Sequence, residues 1–375
     1  MMFDVSNCGP VYNCASVLDI CAIVLNSFGC LANLTVTVLL FCLRCKKSEG
    51  LILLRVLSSS CLAFTVINFM EKVGFHNPNT GNHYVDGLIC TLWTTRFPFW
   101  YTYCQICHSL YFFVCNRASE MLQMNNYPIT TEKQRLTAYL LLVFIFSFIG
   151  ALPLLLMTHP NTKNCACAPL PENFTILTLL YAHAFLSVML FGFIYPVICL
   201  CICTALILRL RKSERGFITD ELDESYFPKS QSLPASATST TTSTPSVQSG
   251  SSSAERDIRD CESNSAGTLE RLANKSVRHA WSASCCIIPL TAAFIAGTSF
   301  ESIQQLLSAA GVFTYKLRSP AQQFSVTLTS LSTALVPLIL FFHIPAMRSL
   351  IFVAIESIQN KISGKKLADV GDLSR

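Results

Sequence analysis

Charged side chains are scarce in this 375-residue sequence. They make up 13% of the residues, about half the share expected of a soluble globular chain, whereas hydrophobic residues make up 51%. This composition excludes an ordinary water-soluble domain, and the net charge of +5 does not point to nucleic acid. The first ten residues, MMFDVSNCGP, also lack the lysine and arginine of a cleavable signal peptide. We therefore expect the first apolar stretch to act as its own membrane insertion signal.

Long apolar stretches, by contrast, are abundant. Seven of them alternate with polar loops, at 15–43, 51–70, 97–121, 136–157, 176–210, 280–296 and 324–342. A helix needs about 20 apolar residues to cross the hydrocarbon core, and these stretches are too long for the strands of a membrane barrel. The sequence therefore predicts an all-α fold, a bundle of seven transmembrane helices. An odd number of spans places the two termini on opposite sides of the membrane.

The distribution of lysine and arginine predicts the orientation of this bundle. These residues are frequent in the loops after the first, third and fifth spans and in the C-terminal tail, and sparse in the other loops. We expect a multi-pass protein of the plasma membrane with an extracellular N-terminus and a cytoplasmic C-terminus. The predicted divisions are an extracellular segment 1–15, five spans within 16–212, a cytoplasmic insert 213–272, two spans within 273–345 and a tail 346–375.

The insert at 213–272 differs in composition from the spans on either side. Its centre, SQSLPASATSTTTSTPSVQSGSSS, contains few large apolar residues. Such a segment cannot bury enough surface to offset the entropy lost on ordering, so we expect it to be disordered. One interpretation is a solvated linker. The other is a phosphorylation platform, since each phosphate adds about two negative charges to a cytoplasmic loop.

Cysteine is frequent, with 19 residues, and the predicted topology divides them. Most lie in apolar spans, where they pack as small apolar side chains. Five are expected on the oxidising extracellular side, namely Cys8, Cys14, Cys90, Cys165 and Cys167. Because five is odd, one stays free or pairs between molecules, and the bridge we favour joins Cys90 to Cys165 or Cys167. Two cysteines without nearby histidines make a poor zinc site, so we expect no metal and no cofactor.

Asn173 is the candidate glycosylation site. It begins the sequon Asn173-Phe174-Thr175 on the predicted outer side. Asn274 and Asn33 also begin sequons, but the first is predicted to be cytoplasmic and the second lies within a span, so we expect neither to be modified.

Arg117 lies at the predicted cytoplasmic end of the third span, in the segment YFFVCNRA. An arginine at this depth is costly in lipid, so its side chain must face the bundle interior or reach water. One interpretation is an interfacial anchor that follows the positive-inside rule. The other is a functional residue, and residues in the other spans support this second interpretation in combination.

Residues in the other spans form an ordered set with Arg117: Asn33 in the first span, Cys90 ahead of the third, Pro153 in the fourth, Pro196 in the fifth, Cys286 and Pro289 in the sixth, Pro337 in the seventh and the segment 347–352 after it. In these residues and their order, the chain resembles the rhodopsin-like family of G-protein-coupled receptors, and the resemblance covers most of the chain outside the insert. Arg117 matches the arginine of the family's Asp-Arg-Tyr motif, and 347–352 resembles its short amphipathic eighth helix.

The resemblance implies a function and a set of partners. The chain is expected to bind an extracellular peptide or small molecule and to activate a heterotrimeric G protein when Pro289 lets the cytoplasmic half of the sixth helix swing outward. Arg117 would face the cleft that opens, and Asn33 would pack against the second and seventh helices. Arrestin and a kinase are candidate partners of the insert. Each proline taken alone is equally consistent with a tolerated kink.

The sequence departs from the family pattern at several switch positions. Asn116 replaces the acid before Arg117, which leaves that arginine without an adjacent carboxylate, and Glu270 is the candidate substitute partner. Cys61 stands at the sodium-binding aspartate and Ile287 at the sixth-span tryptophan, so an allosteric sodium site is not expected. We predict altered basal activity, which a constitutive G-protein assay of the Asn116→Asp variant would test.

The candidate ligand-pocket residues are polar or aromatic residues of the spans: Phe99, Tyr103, Gln105, His108, His183, Glu301 and Gln304. Phe99 stands where amine receptors carry an aspartate, which argues against a protonated amine held at that position. Glu301 is instead a candidate contact for a cationic peptide or amine. His108 and His183 are more typical of hydrogen bonds between helices. The last span contains no lysine, so the resemblance excludes a retinal Schiff base.

Three other classes of protein are weighed against a receptor of this family. A transporter commonly shows internal repeats and midplane charges, and neither is evident here. A membrane-embedded enzyme needs convergent His, Asp or Glu residues within its spans, so we expect no enzymatic activity. The closest alternative is a seven-span chemosensory receptor outside the rhodopsin-like family, whose activity would not depend on Arg117 or Pro289.

Overall fold

A computed structural model describes residues 17–45, 49–73, 82–121, 132–156, 158–160, 167–169, 174–212, 283–312 and 319–350. These residues are almost entirely helical, which confirms the all-α prediction in outline. The segment 1–15, the insert 213–272 and the tail beyond residue 350 lie outside the described residues.

The α-helices of this part of the chain differ widely in length. They are α1 (Val17–Cys42), α2 (Glu49–Val73), α3 (His83–Ile89), α4 (Phe97–Met121), α5 (Glu132–Ala151), α6 (Phe174–Ser187), α7 (Tyr195–Lys212), α8 (Ile287–Ala309) and α9 (Pro320–His343). Residues 345–350 are also helical.

Short helical turns of other types extend or join the α-helices. A π-helical turn, Cys90–Thr94, follows α3, and a second one, Val188–Ile194, joins α6 to α7. A 3-10 turn, Leu152–Leu156, extends α5, and another, Ala283–Cys286, precedes α8. Two strands of three residues each, β1 (Thr158–Pro160) and β2 (Cys167–Pro169), pair antiparallel and are an addition to the predicted fold.

Five helices in the described part of the chain are long and apolar enough to cross a membrane. They cover Val17–Cys42, Glu49–Val73, Lys133–Leu156, Ala182–Leu208 and Pro320–His343. Several such helices in one chain indicate a multi-pass membrane protein, as the composition predicted.

Helices α4 and α8 have the length of a span but are not among these five. Helix α4 contains 25 residues and α8 contains 23. At 1.5 Å per residue, α4 is about 37 Å long, more than the roughly 30 Å of a hydrocarbon core. Their sequences are more polar, and the polar groups point inward: every described side chain of α4 is buried or half-buried. Because a helix surrounded by other helices meets little lipid, α4 can carry polar residues that an outer helix cannot.

The helices close into a ring in chain order. Helix α1 packs against α2, α2 against α4 and α4 against α5, while the 3-10 end of α5 contacts α6. The π-helical turn Val188–Ile194 and α7 contact α8, α8 packs against α9, and α9 returns to α1. Helix α4 also contacts α7 and α8, so it occupies the centre of the bundle.

The apolar side chains divide between the interior of this ring and its outer surface. Phe64, Phe113 and Leu340 are fully buried in one core. Helix α5 presents Leu141, Phe144 and many other large apolar side chains outward instead. A continuous exposed apolar surface of this kind would be unstable in water and is the surface expected against lipid.

The prolines coincide with changes in helix geometry. Pro153 lies in the 3-10 turn that ends α5. Pro196 follows the second π-helical turn, where the Tyr195 N–H donates to Leu190 O, five residues back. Pro196 itself has no N–H to donate to a carbonyl of the preceding turn, so the change of helix geometry lies directly before a missing hydrogen bond. Pro337 lies inside α9, and Pro289 lies in the first turn of α8, directly after a 3-10 turn.

Candidate functional site

Arg117 is buried where α4 ends and where α2 and α5 begin, which we call the Arg117 end of the bundle. Its side chain is only 3% exposed, and its Nη1 forms an ion pair with Oε2 of Glu120, one helical turn further along α4. Asn116 Nδ2 donates to the other oxygen of the same carboxylate, Oε1, at 3.0 Å. Both oxygens of Glu120 are therefore engaged by its own helix, and the charge of Arg117 is balanced within α4.

Gly50, in the first turn of α2, determines how closely Arg117 approaches. A β-carbon added at Gly50 would lie 2.8 Å from both Cζ and Nε of Arg117, and nearer still to Nη2. The guanidinium therefore rests on the backbone of α2, in a space that any other residue would fill.

A second ion pair lies beside the first. Glu49 is buried in the first turn of α2, where the helix dipole favours a carboxylate. Its Oε2 accepts from Arg135 of α5, at 2.6 Å from Nη2 and 3.3 Å from Nε. The pair therefore joins the beginning of α2 to the beginning of α5, next to the residue of α2 that contacts Arg117.

Arg117 has a carboxylate partner on its own helix, although the residue directly before it, Asn116, is not an acid. The partner is Glu120, at the i,i+3 spacing. That spacing is visible in the sequence and is a known signal for side-chain pairing on a helix. The candidate partner named instead, Glu270, lies outside the described residues. Gly50 and the pair of Glu49 with Arg135 were not singled out.

A seam of buried polar side chains joins α1, α2 and α9. Asn33 is fully buried and donates through Nδ2 to Thr333 O of α9 at 3.3 Å. The hydroxyls of Thr37 and Ser58 are 2.7 Å apart and join α1 to α2. Cys61 is also buried in the core, as is Cys286 at the start of α8. The seam supplies polar contacts between α1, α2 and α9 through amide and hydroxyl groups.

The structure does not bring all the predicted pocket residues together. Tyr103 of α4 and Glu301 of α8 are both buried and close enough to interact electrostatically. Glu301 Oε1 also accepts from Gln305 Nε2 at 2.7 Å. Gln304, beside them on α8, is buried, and its Oε1 has no hydrogen-bond partner among the described residues. These residues place polar groups between α4 and α8.

The two histidines are engaged in contacts between helices. His108 Nδ1 lies 2.7 Å from Cys104 O of its own helix and 3.3 Å from Ser147 Oγ of α5. His183 Nε2, on α6, lies 2.6 Å from Gly150 O of α5. This agrees with the interpretation of both as helix–helix hydrogen-bonding residues. Gln105 donates to Tyr101 OH on its own helix at 3.0 Å.

A row of aromatic rings follows α4 through the bundle. Phe99 packs against Phe64 of α2, with ring centroids 5.0 Å apart, and edge-to-face against Trp100 at 5.3 Å. Trp100 contacts Tyr103 at 5.7 Å, and Tyr103 contacts Phe191 of the second π-helical turn at 6.1 Å. Edge-to-face packing of this kind holds large rings in fixed positions.

Arg96 begins this row at the opposite end of α4, which we call the Arg96 end. Its Nη2 donates to Glu71 Oε2 of α2 at 2.7 Å, and its Cζ lies 4.3 Å from the centroid of the Phe99 ring. A neighbouring ion pair joins Lys72 Nζ to Asp19 Oδ1 at 2.5 Å, from α2 to α1. Neither pair was singled out from the sequence, because the two partners of each pair lie on different elements of the fold.

The predicted disulfide and glycosylation residues are only partly described. Cys90 opens the first π-helical turn, and this turn contacts both β1 and β2, the strand that begins at Cys167. Cys165 and Asn173 lie outside the described residues. Within the described ranges, no group of three or more His, Cys, Asp and Glu residues could hold a metal ion.

No protein-family model matches this chain, and no curated protein matches it in a sequence comparison.

Proposed function

We propose that this protein is a divergent rhodopsin-like G-protein-coupled receptor that binds an extracellular ligand and activates a cytoplasmic G protein. The observation that carries the proposal is the Arg117 site. Arg117 is buried at the end of the central helix, forms an ion pair with Glu120 of the same helix and lies against Gly50. This placement suits a switch residue better than an interfacial anchor. An anchor would extend towards water, whereas this side chain is 3% exposed.

The ring of helices supports the same proposal. Seven helical segments of spanning length follow one another around the ring, with α6 and α7 counted as one span through their π-helical turn. We propose that α4 and α8 also cross the membrane, which gives seven spans. The N-terminus would then be extracellular, the Arg117 end cytoplasmic, and 345–350 the start of a short eighth helix at the membrane surface.

The proposed activation step separates α8 from its neighbours at the Arg117 end. Pro289 lies in the first turn of α8, next to a 3-10 turn, and such changes in helix type are frequent hinge positions. Outward movement of the segment before Pro289 would open a cleft beside α4. Arg117 would leave Glu120 and turn towards a G-protein segment in that cleft. Asn33 and Pro337, in the seam and in α9, would carry the change between helices.

Three further features belong to the proposal. A disulfide from Cys90 would hold the loop with β1 and β2 over the outer end, and the contact between the first π-helical turn and β2 favours Cys167 as its partner. The insert 213–272 would be the site for a kinase and arrestin. Glycosylation would fall on Asn173 at the cell surface.

The test is an energy-transfer assay of G-protein dissociation in cells that express the full chain, with sensors for each class of Gα subunit. We expect basal signal above that of mock-transfected cells, a higher signal for Glu120→Gln and loss of signal for Arg117→Ala. The matched control is Arg55→Ala, because Arg55 is a half-buried arginine of the same end, where it donates to Leu40 O and Leu43 O. Surface expression is measured for every variant.

Two outcomes would contradict the proposal. One is a chain as silent as mock cells with every sensor, in which neither Glu120→Gln nor Asn116→Asp changes the signal. The other is a signal that Arg117→Ala leaves unchanged at equal surface expression. The second outcome favours the alternative, a seven-span chemosensory receptor that does not use Arg117.

A further inference from the structure

We propose that Arg96 anchors a ligand that carries a carboxylate on an aromatic body, bound at the Arg96 end of the bundle. The proposal rests on the receptor function above, because it assigns the chemical class of the extracellular ligand.

The guanidinium of Arg96 is held in place but has donors to spare. The side chain is 9% exposed, and its recorded ion-pair contact is Nη2 to Glu71 Oε2. Its Nε is buried and has no hydrogen-bond partner within the described part of the chain. Arginine carries five N–H donors in a planar fork that matches a carboxylate. The guanidinium therefore keeps N–H donors beyond the one accepted by Glu71, and the proposal assigns these donors to the carboxylate of the ligand.

The backbone at Arg96 is fixed in an unusual conformation. Its φ of 58° lies in the left-handed region, which a long side chain rarely adopts. The conformation is held by a hydrogen bond from Arg96 N to Trp93 O and another from Trp100 N to Arg96 O, both 3.1 Å long. Backbone strain persists where the surroundings over-determine it, and it is frequent where a side chain is pre-positioned for a ligand.

Aromatic rings surround the guanidinium and suit an aromatic ligand. Arg96 stacks over Phe99, whose ring packs edge-to-face against Trp100. Phe99 is buried, whereas Trp100, in ring contact with Phe99, is half-buried. Few polar groups on an aromatic lining are typical of small-molecule sites. The positive charge of Arg96 and the absence of an acid at Phe99 both disfavour an amine at this position.

The experiment measures binding to the full-length protein purified in detergent or nanodiscs. The probes are indole-3-acetate and 4-phenylbutyrate, each compared with its neutral amide. Affinity is taken from ligand-observed NMR and from the shift in Tm. We expect both carboxylates to bind, and each amide to bind at least about tenfold more weakly than its carboxylate. A hydrogen bond to a charged group contributes roughly a factor of ten in affinity.

Variants assign the binding to Arg96. Arg96→Gln should weaken both carboxylates about tenfold or more and leave the amides unchanged. Glu71→Gln should tighten carboxylate binding, because it removes the negative charge next to the bound carboxylate while an amide oxygen can still accept from Arg96. Arg55→Gln is the matched control, since Arg55 also lies over a phenylalanine ring, 5.4 Å from that of Phe41, but at the opposite end.

The proposal is overturned if no probe binds, if carboxylates and amides bind alike, or if Arg96→Gln keeps wild-type affinity. Should Arg96→Gln fail to fold, Glu71→Gln decides: tighter carboxylate binding supports the site, and unchanged or weaker binding refutes it. These measurements need no G protein. A chain that binds carboxylates without activating any G protein would refute the receptor function alone, and the converse would refute only this site.

Discussion

The guanidinium of Arg117 lies directly on the backbone of Gly50, so the last turns of α4 contact α2 at a position where α2 has no side chain. The Arg117 guanidinium occupies the space that a β-carbon would fill at Gly50. Because Arg117 is also paired with Glu120, the guanidinium has little freedom to move aside. The same three residues therefore govern both the stability of this end and the switch proposed for it.

Gly50→Ala is expected to lower the stability of the protein by about 1–3 kcal/mol, the usual cost of overpacking. Helix propensity alone predicts the opposite sign, since alanine is favoured over glycine by about 1 kcal/mol inside a helix. Thermal denaturation of the purified protein measures the change. The control is Gly150→Ala, whose added β-carbon would meet only Cys104 Sγ, at an ordinary 3.5 Å. A rise in Tm for Gly50→Ala would show that Arg117 does not rest on Gly50.

Glu120→Gln is expected to raise the active fraction of the protein about 5-fold or more, because it removes the charge that holds Arg117 in α4. The basal signal of the G-protein sensors measures this. Asn116→Ala should have a smaller effect in the same direction, since Asn116 contributes one neutral donor to Glu120. Equal signals for all three chains would contradict a holding role for Glu120.

Glu49 and Arg135 are expected to be strongly coupled. Arg135→Gln leaves the carboxylate of Glu49 buried without its charge partner, which typically costs about 3–5 kcal/mol. The double variant Glu49→Gln with Arg135→Gln should be more stable than Arg135→Gln alone, because no unpaired charge remains. Denaturation of the wild type, both single variants and the double variant gives the coupling energy. Additive losses would mean that the ion pair carries no specific energy.

Gly297→Ala is expected to separate α8 from α9. A β-carbon at Gly297 would lie 2.8 Å from Cβ of Ser332, whose hydroxyl donates to Ala293 O across the same contact. The predicted loss of stability is about 1–3 kcal/mol. Ser332→Gly in the same chain should restore most of it, because the missing β-carbon returns the space. Failure of this rescue would place the cause of the loss elsewhere.

Cys167→Ser is expected to expose Cys90 as a free thiol, whereas Cys165→Ser should not. The reason is that the turn opened by Cys90 contacts the strand that begins at Cys167. Thiol labelling followed by mass spectrometry of the intact protein distinguishes the two variants. Loss of the bridge should cost about 2–4 kcal/mol of stability. Labelling of Cys90 in the wild-type protein would rule out the disulfide.

The helices could largely be predicted from the sequence. The third apolar stretch, 97–121, has the same bounds as α4, and the others differ from their helices by a few residues at most ends. The main difference is at the sixth stretch, which was predicted to end at 296 although α8 continues to Ala309. Residues of the added part, such as Thr298, Glu301 and Gln304, are polar but buried. Hydropathy cannot distinguish a polar residue facing other helices from one that ends a span.

The candidate sites were predicted less completely. Arg117 was singled out by its depth in the predicted span, Asn116 and Asn33 by the resemblance, and Glu120 could have followed from its spacing to Arg117. The pairs of Glu71 with Arg96 and of Glu49 with Arg135 join residues that are 25 and 86 positions apart, so they depend on which helices become neighbours. The two histidines carried no sequence signal for which helix they would contact.

The sequence by itself determined that the chain forms long apolar helices, because hydrocarbon accepts only backbones whose hydrogen bonds are satisfied within the segment. Only the tertiary structure decided which side chains those helices bring together. Gly50 is the clearest case, because it leaves space for the side chain of Arg117, which lies 67 positions further along the sequence. A glycine in the sequence does not show which side chain will occupy the space beside it.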